Sequence, residues 1–132
     1  MMTKRHLPDL TETYLSLGDG GRIEQTTGGD AFWSLPAAEI EEFGKDWLIT
    51  EFSFDEDWRS WEMHPNGEEI VYMLSGAMDL ILEKDGERET IEVRGKGLVV
   101  VPRGTWHTAK VFEPCSILVI THGEETQIRP IE

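Results

Sequence analysis

Cysteine occurs once in the 132 residues, at Cys115, so no internal disulfide can brace the chain. Beside a run of strand formers, Cys115 reads as a small core residue rather than a nucleophile. Basic residues are also scarce. Twelve Lys and Arg stand against 26 Asp and Glu, a formal net charge of −14, and Lys4-Arg5 is the only adjacent basic pair. A surface of that sign repels polyanions, which argues against nucleic acid and anionic membrane as partners. No apolar run approaches transmembrane length, and Met1 to Leu10 lacks the apolar centre of a secretory signal. The expected address is the cytoplasm. There is no internal repeat and no low-complexity segment.

What is present fits one domain over residues 1–132, with residues 1–10 as a loose N-terminal arm. The arm holds His6, and a flexible arm makes a poor metal site. Thr11–Leu17 reads as an edge strand and Arg22–Thr27 as a second strand. Leu35–Gly44 is the one expected helix, with Pro36 near its start, acidic residues after it and Gly44 at its close. Trp47–Phe54, Trp58–His64, Ala77–Glu83, Arg88–Val93, Gly97–Val101, Thr105–Val111, Ser116–Thr121 and Gln127–Ile131 read as strands. Lys84-Asp85-Gly86-Glu87 is the clearest hairpin, because Asp-Gly suits a type I′ turn. Glu113-Pro114 is expected to break the chain. Many short strands at regular spacing favour an all-β barrel or sandwich.

Two stretches carry the chemistry. Trp61 to Gly76 reads as strand, tight turn, strand. Glu62 and His64 are two apart on one strand and share a face. Pro65-Asn66-Gly67 is turn chemistry, and Glu69 opens the return strand, where it can face the side chains just left. That strand is apolar through Leu74 and is expected to be buried on both faces. In the second stretch, Gly97–Val101 reads as a buried strand, Pro102-Arg103-Gly104 as a turn, and His107 follows on the next strand. Two imidazoles and two carboxylates would then converge, as a divalent metal requires.

These stretches resemble the paired motifs of the cupin superfamily. His64, Glu69 and Gly76 match the first motif, with four residues and then six between them. Pro102, Gly104 and His107 match the second. Glu62 stands where the family usually has its first His, Glu56 replaces the opening Gly, Gly97 lies one residue too close to Pro102, and Val111 replaces the closing Asn. The resemblance implies a jelly-roll barrel of two antiparallel sheets, a metal held by Glu62, His64, Glu69 and His107, and a homodimer. Glu62 could ligate, act as a catalytic base, or be a solvated rim carboxylate.

Two neutral imidazoles and two carboxylates leave a divalent ion formally neutral. The set suits iron, manganese or zinc. The expected function is a metal-dependent enzyme acting on a small oxygen-bearing molecule, by dioxygenase-type or isomerase/lyase-type chemistry. The alternative is a non-catalytic metal- or ligand-binding module. Alternation makes Trp58, Met73, Val99 and Val119 candidate pocket walls. It leaves Trp61, Met63, Ile70, Tyr72 and Leu74 on faces a second subunit could cover. His122 reads as a surface residue at a strand end.

Overall fold

The computed structural model describes residues 3–131; Met1 and Met2 of the expected arm lie outside that range. Nine strands run in the order β1 Thr13–Leu17, β2 Ile23–Thr27, β3 Trp47–Phe54, β4 Ser60–Met63, β5 Glu69–Lys84, β6 Glu87–Arg94, β7 Gly97–Val101, β8 Trp106–Thr121 and β9 Gln127–Pro130. Between β2 and β3 lie α1 Asp30–Trp33 and α2 Ala37–Gly44. The α2 helix is the expected one. The single turn of α1, and a 3-10 turn at Asp19–Gly21, add to the one short helix anticipated.

Every strand pair is antiparallel. The sheet folds on itself into two leaves. One has the order β2-β1-β3-β8-β5-β7, and the other β9-β4-β8-β5-β6. Both leaves contain β5 and β8, because each is 16 residues long and a strand of that length reaches about 50 Å. They bend where they pass from one leaf to the other. The register shifts between Met73 and Met78, and irregularities of this kind turn a strand. Gly76 sits at the bend with φ +106°, and a Cβ there would collide with the Pro114 carbonyl oxygen and lie 2.7 Å from Cys115 Cα. The close of the first motif is therefore glycine for a backbone reason.

Several expectations change here. Gly76 and Pro114 do not end strands; both lie inside continuous ones, and Pro114 is tolerated because the ladder is irregular at the bend. β1 is not an edge, since β2 and β3 flank it. β4 and β5 do not pair as a hairpin; β8 lies between them. β7 is half exposed rather than buried, with Val99 and Val101 inside and Leu98 and Val100 exposed at 64% and 48%. The start of β5 alternates in the same way, with Glu69, Val71 and Met73 buried and Ile70, Tyr72 and Leu74 half-buried. No helix covers the outer face of this leaf. The Asp85-Gly86 hairpin is as expected, with φ 55° and 79°, the left-handed pair of a type I′ turn.

The core lies between the leaves, where Val71, Met73, Met78, Leu80, Leu82, Ala109, Ile117 and their neighbours pack together. A second cluster, Tyr14, Phe32 and Leu48, anchors the two helices to the first leaf. Cys115 is buried, and its Sγ donates to the Ala77 carbonyl at 3.5 Å, as a core residue should. Trp61 is buried within the chain itself, with the guanidinium groups of Arg88 and Arg129 at 5.0 and 5.1 Å from its ring. It is not free for a second subunit.

Candidate metal centre

The register brings the proposed ligands together. Glu62 on β4 lies directly opposite His107 on β8, and opposed residues of an antiparallel pair point to the same face. Glu69 on β5 lies opposite Thr121 at the far end of β8. The two pairs come from different leaves and meet across the barrel interior. His64 follows the end of β4, where the chain crosses between leaves. Its carbonyl accepts from the Gly104 amide at 3.0 Å, so the Pro102-Arg103-Gly104 turn of one motif clasps the backbone of the other.

Each imidazole is oriented by its Nδ1. His107 Nδ1 lies 3.3 Å from the Thr105 carbonyl. A carbonyl only accepts, so Nδ1 carries the proton. His64 Nδ1 lies 2.8 Å from Thr126 Oγ1, and that hydroxyl already donates to the Gly123 carbonyl at 3.1 Å. It must therefore accept from His64 Nδ1–H. Both rings are left with Nε2 facing inward, the arrangement that metal-ligating histidines adopt.

The Nε2 atoms of His64 and His107 lie 2.9 and 3.0 Å from the two Glu69 carboxylate oxygens. Neither contact is aligned as a hydrogen bond, and both nitrogens are buried with the Glu69 carboxylate beside them. Donors that crowd together without bonding to one another are aimed at a shared centre. Glu62, His64 and His107 each offer a ligand atom within 4.8 Å of the others, and this cluster can hold a metal ion. Glu69 bridges both imidazoles from the opposite leaf, and Thr121 Oγ1 fixes it by donating to Oε2 at 2.6 Å.

The electrostatics are those of a cation site. Burial pushes the Glu69 carboxyl up, but the imidazoles of His107 and His64 outweigh it and hold the group far below the usual carboxylate range. Glu62 is pushed the other way, first by burial and then by the charge of Glu69, against a smaller pull from the two histidines. For His107, burial lowers the pKa, yet Glu69 and Glu62 raise it overall.

A cavity of about 740 Å³ opens over this centre, with Glu62, His64 and Glu69 in its lining. His107 lies behind them, fully buried. Of the four expected walls, Trp58 and Val119 line the cavity. Met73 and Val99 do not; they belong to the packed core. Sequence reasoning missed the two threonines, Thr121 and Thr126, that orient Glu69 and His64. It also missed the lip that α1 and α2 form over the mouth, through Trp33, Ile40 and Glu41. No sequence signal marks either, since both depend on distant segments meeting. His122 is half-buried against Trp47, ring centroids 5.3 Å apart, and stays outside the centre.

No protein-family model matches the chain, and no curated protein matches it. Solved structures do. Coconut allergen cocosin superposes with TM-score 0.56 at 18% identity, over 65% of this chain and 24% of that one. Oxalate oxidase in complex with the substrate analogue glycolate gives 0.52 at 15%, over 61% and 45%. The chain thus spans less than half the length of either. A cupin-2 domain containing protein from Shewanella frigidimarina gives 0.49 at 18%, over 58% and 70%. With the two-leaf antiparallel barrel, the superposed barrels and the matching motif spacing, the chain has the cupin fold.

Proposed function

We propose that this chain is a metal-dependent enzyme acting on a small oxygen-bearing organic molecule, with Glu62, His64, Glu69 and His107 as ligands to iron, manganese or zinc. The supporting observation is the pair of oriented imidazole Nε2 atoms that converge on the Glu69 carboxylate beneath an open cavity. A structural ion would be enclosed by protein ligands, whereas a catalytic one keeps an approach from solvent. A bound divalent ion would supply Lewis acidity toward a substrate oxygen and, as iron, dioxygen chemistry. Glu69 holds negative charge at the centre whatever the pH of the cell. Glu62, with its carboxyl pushed upward by burial, is the group suited to take and return a proton at the reacting carbon or oxygen.

Metal analysis of protein purified without a metal-affinity tag, followed by turnover screens under air and under nitrogen, tests this reading. We expect one transition metal per chain. His64→Ala, Glu69→Ala and His107→Ala should each remove it. Protein that takes up no metal, or retains it in all three variants, overturns the proposal.

Two copies of the chain are inferred to pair through the outer face of the first leaf. There Ile70 lies between Val100 and Ile120, and Tyr72 between Leu98 and Leu118. These rows are apolar across β7, β5 and β8, and the second meets Glu51 on β3 at its end. Light scattering at tens of micromolar should give about twice the 15.1 kDa chain mass; a monomer refutes the pairing.

A further inference from the structure

The composition of the cavity wall limits what it can accept. Its interior is aromatic and aliphatic, with Phe52, Phe54, Trp58, Ile117 and Val119 reaching it from β3, β8 and the segment before β4. Trp58 packs edge-on to both Phe54 and His107, at centroid distances of 5.8 and 6.1 Å. A flat apolar group resting on Trp58 would therefore lie beside the metal ligands. The charged groups of the lining are four carboxylates, Glu41, Glu62, Glu69 and Glu125, and one guanidinium, Arg59. Only Glu62 and Glu69 stand at the centre, a formal −2 that a divalent ion brings to 0; Glu41, Glu125 and Arg59 lie at the exposed rim, where they sum to 1 − 2 = −1. Arg59 cannot pair a ligand at the centre, because its side chain is 90% exposed, and no other Lys or Arg stands among the lining residues. A ligand carboxylate would leave water for an aromatic wall, beside two carboxylates and with no buried cationic side chain to pair it.

From this we infer that the cavity selects an uncharged, largely apolar molecule about one or two rings in size, which presents a single carbonyl or hydroxyl oxygen to the centre, and that it rejects carboxylates. The volume suits such a ligand. This inference rests on reading the cavity as the substrate pocket, but it concerns the walls and does not need the metal to be in place.

Two isosteric probes test it: 2-acetylnaphthalene, a neutral aryl ketone, and 2-naphthoate, its anionic counterpart. Each is titrated at pH 7.5 into metal-free and into metal-loaded protein, and binding is followed by tryptophan fluorescence and calorimetry. The ketone should bind at least tenfold more tightly than the naphthoate in the metal-free protein. Val119→Trp, which fills the cavity, should abolish ketone binding while circular dichroism stays native. Glu41→Lys lies on an exposed helix turn and cannot disturb the core. It should strengthen naphthoate binding at least threefold and narrow the ratio. Equal or tighter binding of naphthoate to the metal-free protein, or a ratio unmoved by Glu41→Lys, overturns the inference. Metal uptake without ketone binding defeats this inference alone; ketone binding without metal uptake defeats the metal reading alone.

Discussion

Glu62 stands where the cupin resemblance would place a histidine, and as a proposed ligand it has neighbours that would tolerate a carboxylate. It lies beside His107 and faces Glu69 across the barrel, so any proton or cation at the centre offsets the two negative charges. Glu62→His should keep the site, raise its charge by one and shift its metal preference, read by competition between zinc and manganese. Glu62→Gln should abolish turnover and weaken metal binding. Unchanged affinity and activity in Glu62→Ala would make the carboxylate a bystander. The pH dependence of the metal-free protein follows from three groups. Glu62, pushed above its ordinary 4.5 chiefly by burial, loses its contribution as the pH rises past that value and so adds to the decline on the alkaline side. Glu69 is held below its ordinary 4.5, so its contribution is complete above that value and is lost as the pH falls below it. His107 is held above its ordinary 6.5, so its contribution is complete below that value and is lost as the pH rises through its folded pKa. Thermal melts in chelator should therefore show a maximum between about 4.5 and 6.5, and a decline toward pH 9. Saturating metal replaces the proton and should abolish the alkaline decline. A decline that persists with metal bound would refute this account.

At the scale of elements, β5 and β8 carry the site. One end of β8 supplies His107 and the other supplies Thr121, and β5 begins with Glu69. The bend between the leaves therefore sets the distance across the centre. Gly76→Ala places a side chain against the Pro114 carbonyl in a left-handed conformation. It should cost at least about 2 kcal/mol in denaturant unfolding and should also weaken metal binding, although Gly76 touches no ligand. A stability loss below about 0.5 kcal/mol would show that the bend relaxes freely. The individual strands were legible from alternation and turn residues. Their fusion into two 16-residue strands was not, because Gly76 and Pro114 are ordinary strand breakers until a bulge accommodates them.

For the whole molecule, a cation held at the junction of the two leaves would link metal binding to global stability. A metal at 100 times its dissociation constant should add about 2.7 kcal/mol, read as a rise in Tm of roughly 10 °C. The His107→Ala variant should show almost none of that rise. An equal rise in both proteins would place the ion elsewhere, for instance on the acidic surface.

Local chemistry in the sequence determined the turns, the alternation and the ligand types. Pro65-Asn66-Gly67 and Pro102-Arg103-Gly104 turn because of their own dihedral preferences. Glu62 and His64 share a face because strands alternate. Those properties are short-range, and one chain contains them in full. The remaining features belong to pairs of segments far apart in sequence. Thr126 orients His64 from 62 residues away, and Thr121 fixes Glu69 from 52 away. Arg88 and Arg129 close over Trp61, and α1 and α2 form the cavity lip. Only the tertiary structure decided these, because each is set by strand register and leaf closure rather than by any local preference.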